Sequence, residues 1–380
     1  MTISHWQRSH TFTVPDIQTD VVIVGAGYVG LSTAWWITEK YPGVKVTVIE
    51  RSRAGAGASG RNAGFLTKGS AFFYQGLSER WGKEAALDIF RYAETSLELV
   101  NQQVLKASPE IKSEKTSSLT LARKKAELEK LSPDFGFEWT PEIPGRLTAT
   151  YEGAFRSEPE YKINPMELII SLKKSLEARK VQIIESSAAY ELFPDGVRTV
   201  MNTIRCKKVV LAINGYAPEF HKSFGTYIIP NRAQMLAIET EEELDAPSLF
   251  YDPAERVYWR KAGEKAILIG GKRLLDEKNE TGIFEKVSPL IQNGLEDYIK
   301  NVLKLNYKVI HRWSGIMGFT EHELPLLTDV SAPLPTWFVG GFSGHGMGLG
   351  FHAGMEMSEL VSGEKAKSFF SKFKNLKVSL

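Results

Sequence analysis

The chain has 380 residues, 43% of them hydrophobic, 11% aromatic and 24% charged, with a formal net charge of +2. That length is more than one hydrophobic core usually organises, and it predicts two interleaved domains. The near-balanced charge excludes a field that would by itself select nucleic acid or an anionic membrane, and the single cysteine, Cys206, excludes an internal disulfide and any multi-cysteine metal or iron–sulfur site.

The N-terminal stretch carries no apolar run of the kind a secretory signal requires, and the longest apolar stretch, opening at Val21, is broken by Gly25, Gly27 and Gly30. The expectation is a soluble, cytoplasmic protein with no membrane or nucleic-acid partner and no metal. Asp20 to Val24 is a short β-branched run ended by glycine, the pattern of a buried parallel strand. A helix follows over 28–39 and a second strand over 44–50, which makes a βαβ unit. Residues 54–64 are too rich in glycine and alanine to be either element. Helical periodicity with charged faces runs over 77–106, a short strand over 118–121 and a further helix over 123–131. Asn164 followed by Pro165 is a favourable helix entry, so 165–178 reads as a helix, with strands at 181–184 and 208–212 after it. Between 230 and 308, strand-like runs at 235–238, 257–259 and 266–269 alternate with polar turns before a helix at 287–303. A last strand at 337–340 and a last helix at 350–360 close the pattern.

Gly25-Ala26-Gly27-Tyr28-Val29-Gly30 places three glycines between the first strand and its helix, and Glu50 ends the second strand. Each part has a mechanical reason in a dinucleotide site. Gly25 makes the tight turn, Gly27 lets a pyrophosphate approach the backbone, and Gly30 lets helix and strand pack closely. The helix N-terminus offers N–H donors to phosphate, and Glu50 offers a carboxylate to ribose hydroxyls. The βαβ unit alone serves NAD and FAD equally.

Two further segments separate them. Gly57-Ala58-Ser59-Gly60-Arg61-Asn62-Ala63-Gly64 follows the second strand, and Gly340 to Gly350, containing Ser343-Gly344-His345-Gly346-Met347-Gly348, precedes the last helix. With the first motif they resemble the D-amino-acid oxidase-like (DAO) superfamily of FAD-dependent oxidoreductases, in the form of its γ-glutamylputrescine oxidase-like branch, which shares the Trp6 region. An NAD-dependent dehydrogenase would leave both segments unexplained. The fold class implied is α/β. A Rossmann-type FAD-binding domain over 1–75, 150–220 and 311–380 interleaves with an α+β substrate domain on a mostly antiparallel sheet over 76–149 and 221–310.

The resemblance assigns residues to FAD. Gly25, Gly27, Tyr28, Val29, Gly30, Glu50 and Arg51 form the adenosine and phosphate side, with the backbone near Ala189 at the adenine. Ser59, Arg61, Asn62, Ala63 and Gly64 lie against flavin and ribityl chain, and Asn214 and Gly215 follow the strand at 208–212. Gly344, His345, Gly346, Met347 and Gly348 reach the pyrimidine edge, where reduced flavin gathers negative charge. FAD is expected to be non-covalent, because Cys206 reads as a small packed thiol and Arg61 stands near where some relatives carry an attaching histidine.

The same resemblance implies hydride transfer from a substrate carbon to the flavin, with an amine or amino acid as substrate and oxygen or an electron carrier as final acceptor. Relatives that act on α-amino acids carry Arg-Pro soon after a Trp-x-Gly motif, as a carboxylate clamp. Here Trp313-Ser314-Gly315 is followed by Met317-Gly318, which favours an amine or substituted amine over a simple amino acid. Lys272 and His345 are the expected catalytic side chains. A solvated Lys272-Arg273 pair and a surface turn at His345 are the plainer readings, and Leu268 competes with Lys272 for the lysine position. Tyr258, Trp259 and Phe319 are candidates for the pocket wall, and Arg232 or Arg273 for a clamp that has moved. A flavin-binding protein of low turnover, with a redox-sensing or assembly role, is the alternative from another class.

Overall fold

The computed structural model describes residues 16–69, 74–128, 137–373 and 378–380; Trp6 and the end of the expected helix at 123–131 lie outside them. Val21–Val24, four buried apolar residues, lies inside a seven-stranded sheet, next to its middle strand. It pairs in parallel with Val46–Ile49 on one side and Lys208–Leu211 on the other. Gln182–Ile184 and Thr336–Gly340 extend the sheet in parallel, and Leu326–Ser331 adds an antiparallel strand. Helices Tyr28–Lys40 and Gly346–Ser362 pack on one another over this sheet, where Trp36 Nε1 donates to Phe351 O at 3.1 Å. Helix Pro165–Ala178 begins as its sequence dictates, with Asn164 Oδ1 accepting from Met166 N at 3.0 Å. Ala189–Phe193, Gly196–Thr199 and Thr203–Arg205 form a small meander, joined in parallel by Ile17–Gln18.

The largest sheet has nine strands. It runs from Lys308–Phe319 through Ile229–Glu239, Ala266–Gly271, Val257–Lys261 and Leu249–Asp252 to Glu114–Ala122, Gly153–Lys162 and Phe65–Leu66. Phe137–Thr140 pairs with Gly153–Lys162 beside this path. All neighbours are antiparallel except Leu249–Asp252 with Glu114–Ala122. The two-residue alternation of strands gives this sheet two different faces. Leu236, Ile238, Trp259, Ile267 and Ile269 turn to a core shared with Leu295 and Tyr298 of helix Pro289–Tyr298. Met235, Tyr258, Met317 and Phe319 turn the other way, to a cavity.

Some boundaries differ from expectation. The helix at 77–106 divides into Tyr74–Trp81 and Lys83–Val100, because Gly82 adopts φ +87° between them. Of the helix at 123–131, only Lys125–Leu128 is helical among the described residues. Sheet membership also departs from the divisions drawn at 150 and 311. Gly153–Lys162 and Lys308–Phe319 hydrogen-bond into the nine-stranded sheet, not the central parallel one. Among the described residues no helix is long and apolar enough to cross a membrane.

Candidate active site

Two cavities, of about 490 and 480 Å³, meet end to end along the carboxyl edge of the parallel sheet. They share Gly27, Ala58, Ser59, Arg61, Ala212 and Asn214 and so form one channel. The glycine turn shapes its first end. Gly25 holds φ +108°, and a Cβ on Gly30 would stand 2.0 Å from Gly25 O, so both positions require glycine. Glu50 Oε2 accepts from Ala26 N at 3.0 Å and its Oε1 from Ser52 N at 2.9 Å. The carboxylate thus braces the turn while it lines the first cavity with Arg51 and Ala189. Arg51 lies 3.9 Å over the Tyr216 ring and pairs with Glu219 at 2.7 Å.

The middle of the channel is a braced loop. Ser59 Oγ accepts from Tyr28 N at 2.9 Å, so the serine caps the helix N-terminus. Asn62 holds its own loop, donating to Ser59 O at 2.8 Å and accepting from Gly64 N at 2.8 Å. Arg61 donates to Ser314 O at 3.0 Å and pairs with Glu285 at 2.9 Å; Glu285 also accepts from Tyr216 OH at 2.7 Å. The stretch carrying Ile283 and Glu285 therefore forms part of the wall of the first cavity. It had no periodicity to reveal it, and it is held from below by Arg232, which is 1% exposed. Arg232 makes two bonds to Glu280 at 3.0 and 2.8 Å and donates to Phe284 O at 2.7 Å. A guanidinium so committed is no substrate clamp.

The second cavity ends on the late glycines. Gly344, His345, Gly346, Met347 and Gly348 all line it, with Gly346 opening the last helix. The first N–H groups of that helix have no intrahelical partner and point to the cavity end. His345 is partly buried; burial pulls its imidazole down to about 4 against a backbone contact with Ser343 that raises it, and its enclosed Nδ1 has no hydrogen-bond partner among the described residues. It is a neutral ring with an unused polar atom, not a surface turn residue.

The family model for FAD-dependent oxidoreductases (DAO) matches residues 20–360. This chain belongs to that family. Among curated proteins, the chain is 26% identical to probable oxidoreductase OrdL of Rhizobium meliloti over 92% of its own length and 84% of the relative's. It is 24% identical to gamma-glutamylputrescine oxidoreductase of Escherichia coli, covering 95% of this chain and 87% of that one. Among solved structures, glycine oxidase from Geobacillus kaustophilus superposes with a TM-score of 0.77 at 18% identity, over 94% of this chain and 98% of the other. L-proline dehydrogenase from P. horikoshii does so with a TM-score of 0.76 at 18% identity, over 93% and 96%. The protein is an FAD-dependent oxidoreductase with the mixed α/β fold of its family.

The channel suits FAD on its own chemistry. A carboxylate stands at one end, backbone N–H groups and an arginine in the middle, and helix-end donors with a neutral imidazole at the other. Not every expected residue touches it. Gly30, Gly64 and Gly215 line neither cavity and serve close packing instead. A Cβ on Gly64 would stand 2.0 Å from Ile163 O, and one on Gly215 2.8 Å from Met317 O. Asn214 lines both cavities and pins the late segment by accepting from Gly341 N at 2.8 Å.

The structure places Lys272 outside both cavities. Its Nζ is bonded to Glu255, and its left-handed φ of +60° turns the chain away after Gly271. Leu268 does not line the cavities either. Tyr258 and Phe319 wall the second cavity, but Trp259 faces the opposite side of the sheet, stacked 4.0 Å from Phe250. Alternation along the strand decides that. Residues that sequence reasoning missed are Lys68, Glu160, Tyr251, Arg256 and Glu323, all on the second cavity. Glu160 is 1% exposed; burial raises its carboxyl to about 8, although Ser157 Oγ donates to it at 2.9 Å and Lys68 N at 2.9 Å.

Proposed function

We propose that this enzyme oxidises the C–N bond of a small amine or substituted amine, giving an imine that water hydrolyses to a carbonyl compound and the released amine. The observation that carries the reading is the cavity wall beside Gly344–Gly348. Phe65, Tyr258, Met317 and Phe319 present apolar surface there, and Met317 Sδ lies 3.9 Å from the Cβ position of Gly344. An apolar wall excludes water and disfavours an ammonium, so it favours the neutral amine whose adjacent carbon gives up hydride. The names of two similar proteins, gamma-glutamylputrescine oxidoreductase and iminodiacetate oxidase, support C–N chemistry.

FAD, when bound, supplies the two-electron acceptor. The chain's own residues orient and protect. Ser59, Asn62 and Arg61 brace the loop that would hold the cofactor, and Asn214 fixes the late glycine segment that would close on it. His345 stays neutral above roughly pH 5 and lines the reacting end as an uncharged ring and not a cation. FAD is non-covalent in this reading, because Cys206 lines neither cavity and burial pushes its thiol up to about 12.

The test has two parts. Purified protein is expected to be yellow and to release intact FAD on mild denaturation. Anaerobic mixing with a panel of amines and amino acids is expected to bleach the flavin with at least one amine. A protein that binds FAD but is bleached by no member of the panel is a flavin binder of low turnover, and the enzymatic reading fails. Matched pairs with and without an α-carboxylate then decide the finer question. With Met317 at this wall, the member lacking the α-carboxylate is expected to react at least as fast.

A further inference from the structure

The reaction proposed above makes cations unwelcome beside the substrate, since an amine arrives largely as an ammonium. Yet besides Arg61, which is committed to Ser314 O and Glu285, two further arginines line the cavity, Arg256 and Arg273. They are neighbours by construction. Val257 and Gly271 are register partners across the hairpin, and Lys272 N donates to Arg256 O at 3.1 Å, so Arg256 and Arg273 flank the same end of it. Arg256 takes a left-handed φ of +51° at the turn, a conformation unfavourable for a long side chain. Among the described residues its guanidinium makes no hydrogen bond or ion pair, and it acts on Glu323 and Tyr251 only through its field. Arg273 lies with Cζ 5.1 Å over the Phe319 ring and makes one contact to Glu277, at 3.2 Å, a carboxylate 63% exposed. The remaining carboxyl at this end is Glu323, half-buried and joined to neither arginine by a hydrogen bond; burial raises its pKa against the opposing fields of Arg256, Arg273 and Arg80. Most of the donors on this pair are left unused.

The position of the pair defines a distance. Gly315, Met317 and Phe319 alternate onto the cavity face of one strand, with Met317 beside Gly344 at the cofactor end. Phe319, on which Arg273 rests, is two residues further along, which is about 7 Å. An anion held there is several bonds away from a carbon reacting beside Met317.

We infer that Arg256 and Arg273 form a subsite for a carboxylate carried at the far end of the amine substrate, separated from the reacting C–N bond by a short linear chain. This rests on the amine-oxidising reading and narrows its substrate class to amines with a remote carboxylate. Two guanidinium groups with free donors meet such a group by charge-assisted hydrogen bonds, whereas an unsubstituted alkylamine meets only repulsion. The apolar wall between the two ends fits the intervening methylenes.

The test separates binding from turnover. Linear monocarboxylates from butanoate to octanoate, which carry no amine, are titrated into the FAD-loaded protein by calorimetry, with the corresponding alcohols as neutral controls. At least one carboxylate is expected to bind tenfold or more tighter than its alcohol. Arg256→Met and Arg273→Met are each expected to weaken it tenfold or more, and Arg273→Lys less, with FAD content and unfolding midpoint checked alongside. In anaerobic flavin reduction, an ω-amino carboxylate is expected to half-saturate at lower concentration than the alkylamine of equal length, and the Met variants to lose that advantage while the alkylamine is unaffected or improved. Carboxylates that bind no better than alcohols, or variants that weaken both ligands equally, overturn the inference whatever the amines do. Failure of every amine to bleach the flavin while the carboxylates bind overturns the oxidation reading and leaves the anion subsite standing.

Discussion

Glu50→Ala tests whether the second strand and the glycine turn work as one unit. The carboxylate accepts two backbone N–H groups, Ala26 at 3.0 Å and Ser52 at 2.9 Å, and lines the cavity assigned to the adenosine side. Bonds to a charged acceptor are worth about 1.5–3 kcal/mol each when buried. Glu50 is only partly buried, so water reaches the freed donors and the loss in FAD-free protein is expected to be about 1–2 kcal/mol. Loss of the carboxylate from the ribose side is expected to add about 1–3 kcal/mol in FAD affinity, roughly five- to 150-fold in Kd. The assays are denaturant unfolding of FAD-free protein and FAD titration by flavin fluorescence. Glu50→Gln keeps one acceptor oxygen but turns an amide donor toward a backbone donor, so it should fall between alanine and wild type. If stability falls but affinity holds, Glu50 braces the turn and does not touch the cofactor. If neither changes by more than about twofold, the reasoning from these two hydrogen bonds is wrong.

Gly348→Ala would bring a Cβ within 2.1 Å of Thr67 O, backbone against a well-packed helix, and is expected to cost about 1–3 kcal/mol and much of the bound FAD; a fully yellow variant of unchanged stability would contradict the packing. The raised pKa of Glu160, about 8 against 4.5 unfolded, means that the native state binds the extra proton between those values. Stability from this group is therefore present below about pH 4.5 and lost as pH rises to about 8. Glu160→Gln should gain on wild type between pH 5 and pH 9 by up to a few kcal/mol, since each tenfold difference in proton affinity between the folded and unfolded chain is worth about 1.4 kcal/mol. Unfolding curves measured side by side across that range check it, and stability profiles that stay parallel would show that burial does not hold the proton. Lys272→Met should leave the rate of anaerobic flavin reduction within about twofold, since the lysine points to Glu255 and away from the cavity, and should cost at most about 1 kcal/mol of stability. A large loss of rate with normal FAD content would return Lys272 to the active site.

What the sequence determined by itself was local. The turn glycines, the βαβ order, the Asn164 cap and the late glycine segment are each set by backbone conformation within a few residues, and so they can be read in order along the chain. Their spacing carried the cofactor and the family. The substrate end was decided by tertiary structure. Strands distant in sequence assemble it, and the face a side chain takes depends on register and on where a turn reverses. Trp259 and Tyr258 are adjacent, yet one is core and the other cavity, because strand alternation sends neighbours to opposite faces. Lys272 and Arg273 are adjacent too. A left-handed residue at 272 commits the lysine to Glu255 and leaves the arginine on the cavity. Arg232, Arg256 and Arg273 look alike in sequence, and only their partners distinguish them. Arg232 is saturated by Glu280 and nearby carbonyls, while Arg256 feels Glu323 only through its field and makes no ion pair among the described residues. Which charges remain free is a property of the assembled neighbourhood, and no single segment contains it.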